Sequence, residues 1–216
     1  MGIAIAISIS KRTDLFFTTV INRFYTLPMD ETPVTTAAGP VTGLPPVHGE
    51  SPEALILGSF PSRQSLLKQE YYGNPRNHFW HIIEALFLID RHLPYPVRTL
   101  QLMDHRIALW DVVSTCSREG SADARIQDPV FNDLTAFLAE FPSIHLIALN
   151  GSSAGRYYHQ LKISVSVPAV VLPSTSPANT RYSLGEKIKR WEIIRPYTST
   201  NEQTKKIIVP CGTSEK

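Results

Sequence analysis

Three stretches of this chain concentrate residues able to grip a polar ligand. The first is Gly58-Ser59-Phe60-Pro61-Ser62, resuming at Tyr71-Tyr72-Gly73-Asn74-Pro75-Arg76-Asn77 just ahead of His78-Phe79-Trp80. An exposed tyrosine ring can stack on a nucleic-acid base. An asparagine amide both donates and accepts, so Asn77 can bond a base edge or hold a water. Each has an ordinary alternative. Asn77 stands where a helix N-cap would, and Tyr71 and Tyr72 can pack in a core with bonded hydroxyls. Gly58 and Pro61 suit a tight turn after a strand.

The second stretch carries Asp111, Ser114, Arg118, Ser121 and Asp123. Asp111 is placed to bond a ligand or position a water, and Arg118 with Asp123 reads as a structural pair. The third is Leu172-Pro173-Ser174-Thr175-Ser176-Pro177-Ala178-Asn179-Thr180, followed by Arg181. Its hydroxyls and backbone N–H groups can bind phosphates and wedge a gap in stacked bases; an ordinary loop capping the next helix is the alternative. Arg181, Lys187, Lys189 and Arg190 make the following segment basic, either as a phosphate-tracking edge or as a solvated face. Lys68 alone among lysines sits in the first loop. An amine nucleophile there would permit a Schiff base, but a surface lysine is the simpler account.

These loops need strands and helices to aim them. Ala54 to Leu57 reads as a buried strand ending at Gly58. Asn77 to Arg91 reads as a helix, with Phe79, Ile82, Ile83, Leu86 and Phe87 on one face. Strands follow at Ile107 to Trp110, Ile144 to Leu149 and Ala169 to Leu172. Helices are expected at Asn132 to Phe141, Ser152 to Leu161 and Ser183 to about Arg195. Such alternation predicts an α/β fold with a mainly parallel sheet and helices on both faces. Sites in such sheets form at the carboxyl ends of the strands, where the three polar stretches fall.

Pro28, Pro33, Pro40, Pro45 and Pro46 mark an N-terminal region without sustained periodicity. The expected organisation is therefore an irregular extension over 1–45, one domain over 46–197 and a tail over 198–216. The apolar run Ile3 to Ile9 is too short to span a bilayer and lacks a signal peptide's n-region and cleavage site, although it could add an edge strand. A formal net charge of +2 neither demands nor excludes nucleic acid; a local basic face would suffice. Cys116 and Cys211 form no paired motif, which argues against a disulfide framework or a zinc or iron–sulfur site. A reducing compartment is the expected setting.

Taken as whole runs, GSFPSRQSLLKQEYYGNPRNHFW (58–80), ALWDVVSTCSREGSADARI (108–126) and LPSTSPANT (172–180) resemble the hypoxanthine-DNA glycosylase family, a branch of the uracil-DNA glycosylase superfamily. The resemblance covers about residues 44–197. It implies a three-layer α/β/α fold with a short, mainly parallel central sheet. It also implies excision of a flipped, deaminated base, most simply hypoxanthine, without a metal or organic cofactor. Many superfamily members carry Asn or Asp just after the first strand; here the turn holds Ser59, Phe60 and Pro61. The resemblance instead points to Asn77 as the catalytic group and Tyr72 as the stacking ring. Gly58, Ser59, Phe60 and Asp111 complete the base site. Ser62, Arg76, Ser174, Thr175, Ser176, Asn179 and Arg181 would meet the DNA. A monomer acting on single- or double-stranded DNA in the cytoplasm, or in a nucleus, is implied, without a membrane. Uracil or mismatched thymine as substrate, and a non-catalytic nucleic-acid binder of the same fold, are the rival readings.

Overall fold

The computed structural model describes residues 40–118, 126–163 and 166–197. Most of the expected extension, the C-terminal tail, Ser121 and Asp123 lie outside the described residues.

Four parallel strands form the central sheet: β2 (Ala54–Gly58), β3 (Ile107–Asp111), β6 (Leu146–Asn150) and β7 (Ala169–Leu172), in the order β3-β2-β6-β7. β2 is buried along its whole length, as its unbroken Ala-Leu-Ile-Leu run requires when both faces of a parallel strand are covered. Side chains alternate between those faces. Ile56, Leu109 and Ala148 pack against α2 (Phe79–Phe87), α3 (Tyr95–Asp104) and α6 (Leu184–Trp191), with Trp191 fully buried. Leu55, Leu57, Ala108 and Leu149 pack against α4 (Leu134–Glu140) and α5 (Ser152–Gln160). The expected three-layer arrangement is thus observed.

Local chemistry sets the helix limits. Ser183 caps α6 by accepting from Glu186 N, while the Glu186 carboxylate accepts from Ser183 N, a reciprocal capping box. The expected single helix to about Arg195 ends as an α-helix at Trp191 and tightens into a 3₁₀ segment, Glu192–Tyr197. Pro196 has no N–H to continue an α-helical ladder. α2 begins at Phe79 and stops at Phe87, where Leu88 adopts a left-handed φ of 60°. It is therefore shorter than the Asn77 to Arg91 span expected.

Two further helices had no clear sequence signal: α1 (Arg63–Lys68) and α3, which opens after Pro94. A small antiparallel sheet, β1-β4-β5 (Val41–Thr42, Val113–Arg118, Ile126–Phe131), was also not expected. Residues 113–118, read as loop, are strand because they pair with β1 and β5. Their polar composition hides this, since the pairing is made by backbone groups. Among the described residues, β1 and Leu44 precede residue 46, where the domain was expected to begin. Val41 pairs with Cys116, Val47 N donates to Leu109 O at 2.9 Å, and Leu44 enters the core.

Candidate active site

The carboxyl ends of β2, β3, β6 and β7 open into a cavity of about 680 Å³. Its wall joins parts of all three polar stretches: Gly58 to Ser62, Tyr72, Asn77 and Asp111 on one side, Ser174 to Ser176, Asn179 and Arg181 on the other.

At the floor, β2 and β3 end side by side, with Gly58 paired to Asp111. A Cβ on Gly58 would overlap Asp111 Oδ1, so only glycine leaves room for that carboxylate. Asp111 is 4% exposed, and its main-chain oxygen accepts from Asn132 Nδ2 at 2.8 Å. The carboxylate is thus an enclosed acceptor in a site largely walled off from solvent. The carbonyls of Gly58 and Ser59 accept from Val112 and Val113, which fastens this turn to the start of β4. Phe60 turns its ring into the lower core, beneath the Arg118 guanidinium at 4.9 Å from the ring centroid. Any base contact at Phe60 must therefore come from its backbone or its ring edge, not from an exposed ring face.

Both tyrosines line the cavity, but they are held differently. Tyr71 is core: its hydroxyl donates to the Leu44 and Pro45 carbonyls at 3.1 Å, and its carbonyl accepts from Trp80 Nε1. Tyr72 swings the other way, in the left-handed region at φ 57°. Its ring lies 3.8 Å from the buried Phe79 ring at an interplanar angle of 18°, and Tyr72 lines the cavity. Burial, then the Asp111 charge, push the Tyr72 phenol well above its usual pKa. The ring therefore stays neutral. A non-glycine residue held at positive φ beside a cavity is the kind of strain that clusters at functional sites.

Asn77 stands one residue before the N-cap His78, at the mouth of α2. Its Oδ1 accepts from Phe79 N at 2.9 Å, closing the first turn of α2. Its Nδ2 has no acceptor among the described residues, and the side chain lines the cavity. An amide oxygen carries a second lone pair, so helix closure does not use up its accepting capacity.

The opposite wall is braced by Asn150, which sequence reasoning treated only as a turn residue. Asn150 Nδ2 donates to Thr175 Oγ1 and its Oδ1 accepts from Thr175 N, both at 2.9 Å. Thr175 is 1% exposed, so the hydroxyl expected to meet DNA is spent on this brace. Ser62 likewise caps α1, accepting from Ser65 N. Asn179 Nδ2 donates to Ser174 O and its Oδ1 accepts from Arg181 N, so its amide shapes the loop. Ser174 and Ser176 form the rim. Arg76 is exposed but does not line the cavity. Arg181 does, and with Arg190 it flanks the Tyr182 ring, at 5.4 and 4.6 Å from its centroid. Tyr182 and Arg190 were not singled out as site residues. Lys187, expected on a basic face, is fully buried. Lys68 donates to Gly73 O at 3.0 Å and does not line the cavity.

A family model for the uracil DNA glycosylase superfamily matches residues 45–195. The chain belongs to that superfamily. A protein of Methanosarcina acetivorans described as a hypoxanthine DNA glycosylase is 40% identical over 153 residues, covering 70% of this chain and 96% of the relative. A Methanosarcina barkeri protein with the same description is 35% identical over 150 residues, covering 69% and 94%. The solution NMR structure of a Methanosarcina acetivorans protein described as a candidate uracil DNA glycosylase superposes with a TM-score of 0.65. It shares 39% identity and covers 73% of this chain and 97% of that one.

Proposed function

We propose that this chain excises hypoxanthine from DNA, leaving an abasic site. The observation that carries the proposal is the cavity itself. One ring face, one enclosed carboxylate and one asparagine amide converge at the strand ends, in a chain similar to two proteins described as hypoxanthine DNA glycosylases.

The target base must leave the duplex stack before its sugar bond can be reached, at a cost of a few kcal/mol that is least for weak pairs. Tyr72, backed by Phe79, offers the flipped base a stacking face worth about 1–3 kcal/mol. Asp111 accepts hydrogen bonds but cannot donate when ionised. Hypoxanthine carries an N1–H that such a carboxylate can receive; adenine presents a lone pair there and is repelled. The backbone N–H groups of the Ser59–Phe60 turn supply donors for the base oxygen. Asn77, held by Phe79 N, orients a water toward C1′. An amide cannot take a proton at neutral pH, so its contribution is placement. Sugar-bond cleavage passes through an oxocarbenium-like state, by analogy with other glycosidic cleavages. Arg181 and Arg190 at the rim meet the phosphates, which position the duplex without reading its sequence.

The test uses duplexes carrying hypoxanthine, uracil, xanthine or mispaired thymine, followed by alkaline cleavage. Hypoxanthine should be released fastest. Preferential release of uracil or thymine would move the substrate assignment, and binding without release would reduce the chain to a DNA-binding protein. Asn77→Asp keeps the oxygen that accepts from Phe79 N but replaces the donor with a charge. It should lower single-turnover excision at least tenfold with the melting temperature nearly unchanged; a residue that serves only the helix start would leave the rate unchanged, because Asp fills that place as well as Asn.

A further inference from the structure

Lys187 is among the largest fully buried side chains of the protein, with 0% exposure. Taking an ammonium out of water costs several kcal/mol unless it is well paired. No carboxylate pairs with it among the described residues. Its Nζ donates instead to Asn179 O at 2.9 Å and lies 3.3 Å from His78 Nδ1.

Asn179 lines one wall of the cavity, and His78, which does not itself line it, adjoins Asn77 of the other. His78 follows Asn77 at the start of α2, and its N–H donates to Thr175 O at 2.9 Å. Asn179 holds the far loop by its bond to Ser174 O. Lys187 reaches from α6 to both, contacting the residue next to Asn77 on one side and the Asn179 carbonyl on the other. A methionine or leucine there would be less costly to bury. We infer that Lys187 is a positioning residue, whose ammonium clamps the two cavity walls together and thereby sets the placement of Asn77 for excision.

The clamp has a chemical requirement. An ammonium only donates, so His78 Nδ1 must accept and the ring must be neutral with its proton on Nε2. Burial first, then Lys187 and His81, lower the His78 pKa, which favours the neutral ring. The His81 ring lies 6.1 Å from that of His78. Lys187 and His81 are the charged or titratable groups facing His78.

The inference rests on the proposed excision reaction, and its test separates the two. In Lys187→Met, a side chain of similar length keeps the packing and loses both bonds. Excision from a hypoxanthine duplex at saturating enzyme should fall at least tenfold. Affinity for undamaged duplex should stay within about twofold, because a buried residue makes no phosphate contact. The His78 titration, followed by NMR, should move to higher pH in this variant because one facing cation is gone. Wild-type excision rates in Lys187→Met would overturn the inference. So would a loss of rate that disappears on cooling below the onset of melting, since that would mark a structural role only. If the variant does not fold, the wild-type protein still decides: nitrogen-detected NMR should find the His78 proton on Nε2, and a proton on Nδ1 would overturn the clamp. Absence of any wild-type excision would refute the reaction while leaving the NMR arm to judge the clamp.

Discussion

Gly58→Ala places one methyl at the most crowded point of the site. That methyl would overlap Asp111 Oδ1, lie 3.4 Å from Asp111 Cγ and 3.6 Å from the Tyr72 hydroxyl. Gly58 does not need a left-handed backbone, so the cost is steric alone. Asp111 cannot retreat easily, because its main chain is held in β3 and by Asn132. Its buried carboxylate must rotate instead. Overpacking of this kind costs about 1–3 kcal/mol. At about 2–4 °C per kcal/mol for a domain of this size, the melting temperature should fall by about 2–12 °C. The effect on excision should be larger than that on stability. A misplacement of about 1 Å in a positioning group costs on the order of 100-fold in rate. The assay is a double-mutant cycle of Gly58→Ala and Asp111→Ala, read by thermal melting and by single-turnover excision. Once Asp111 is truncated the added methyl has nothing to strike. Gly58→Ala should then cost little further stability or rate, giving a coupling of about 1–3 kcal/mol. Additive losses in both readouts would refute the claim that glycine is required there by the carboxylate.

Four further outcomes follow from the same geometry. Thr175→Val removes the acceptor for Asn150 Nδ2 and should cost about 1–3 kcal/mol in urea unfolding, with reduced excision, because a buried donor is left unpaired; an unchanged midpoint would show that the brace is not structural. Borohydride should trap no enzyme–DNA adduct, since Lys68 is held on Gly73 O and Lys187 is buried against Asn179 O; a trapped adduct would establish amine chemistry. Arg181→Ala should flatten the log–log salt dependence of duplex binding by about one phosphate contact, for damaged and undamaged DNA alike, whereas Tyr72→Ala should weaken only the damaged duplex. For pH, the folded-state pKa of His78 lies below its ordinary value of 6.5, so the unfolded chain binds the proton first as pH falls. Stability should therefore decline between that value and the lower folded pKa. His78→Phe should lack that portion of the decline, as unfolding titrations across the window would reveal.

The sequence by itself determined the layered architecture. Unbroken apolar runs such as Ala54 to Leu57 can satisfy two covered faces only inside a parallel sheet, and the 3.6-residue spacing of Phe79, Ile82, Ile83 and Leu86 marks the buried face of α2. These are local, periodic signals. The candidate site was legible as three polar stretches, because strand-end loops are where composition departs from periodicity. Tertiary structure decided which of their residues face the cavity. Tyr71 and Tyr72 are chemically alike and both line the cavity, yet one hydroxyl finds the Leu44 carbonyl and the other residue stacks on Phe79 at positive φ. Thr175 and Ser62 look like surface hydroxyls until Asn150 and the start of α1 claim them. Lys187 reads as one more charge on a basic helix, and only the distance to Asn179 and His78 shows that it is sealed inside. Val113 to Arg118 became a strand through partners at Val41 and Phe131 that no local pattern announces. In each case the deciding contact joins residues far apart in the chain, and the energy that selects it exists only once the layers have closed.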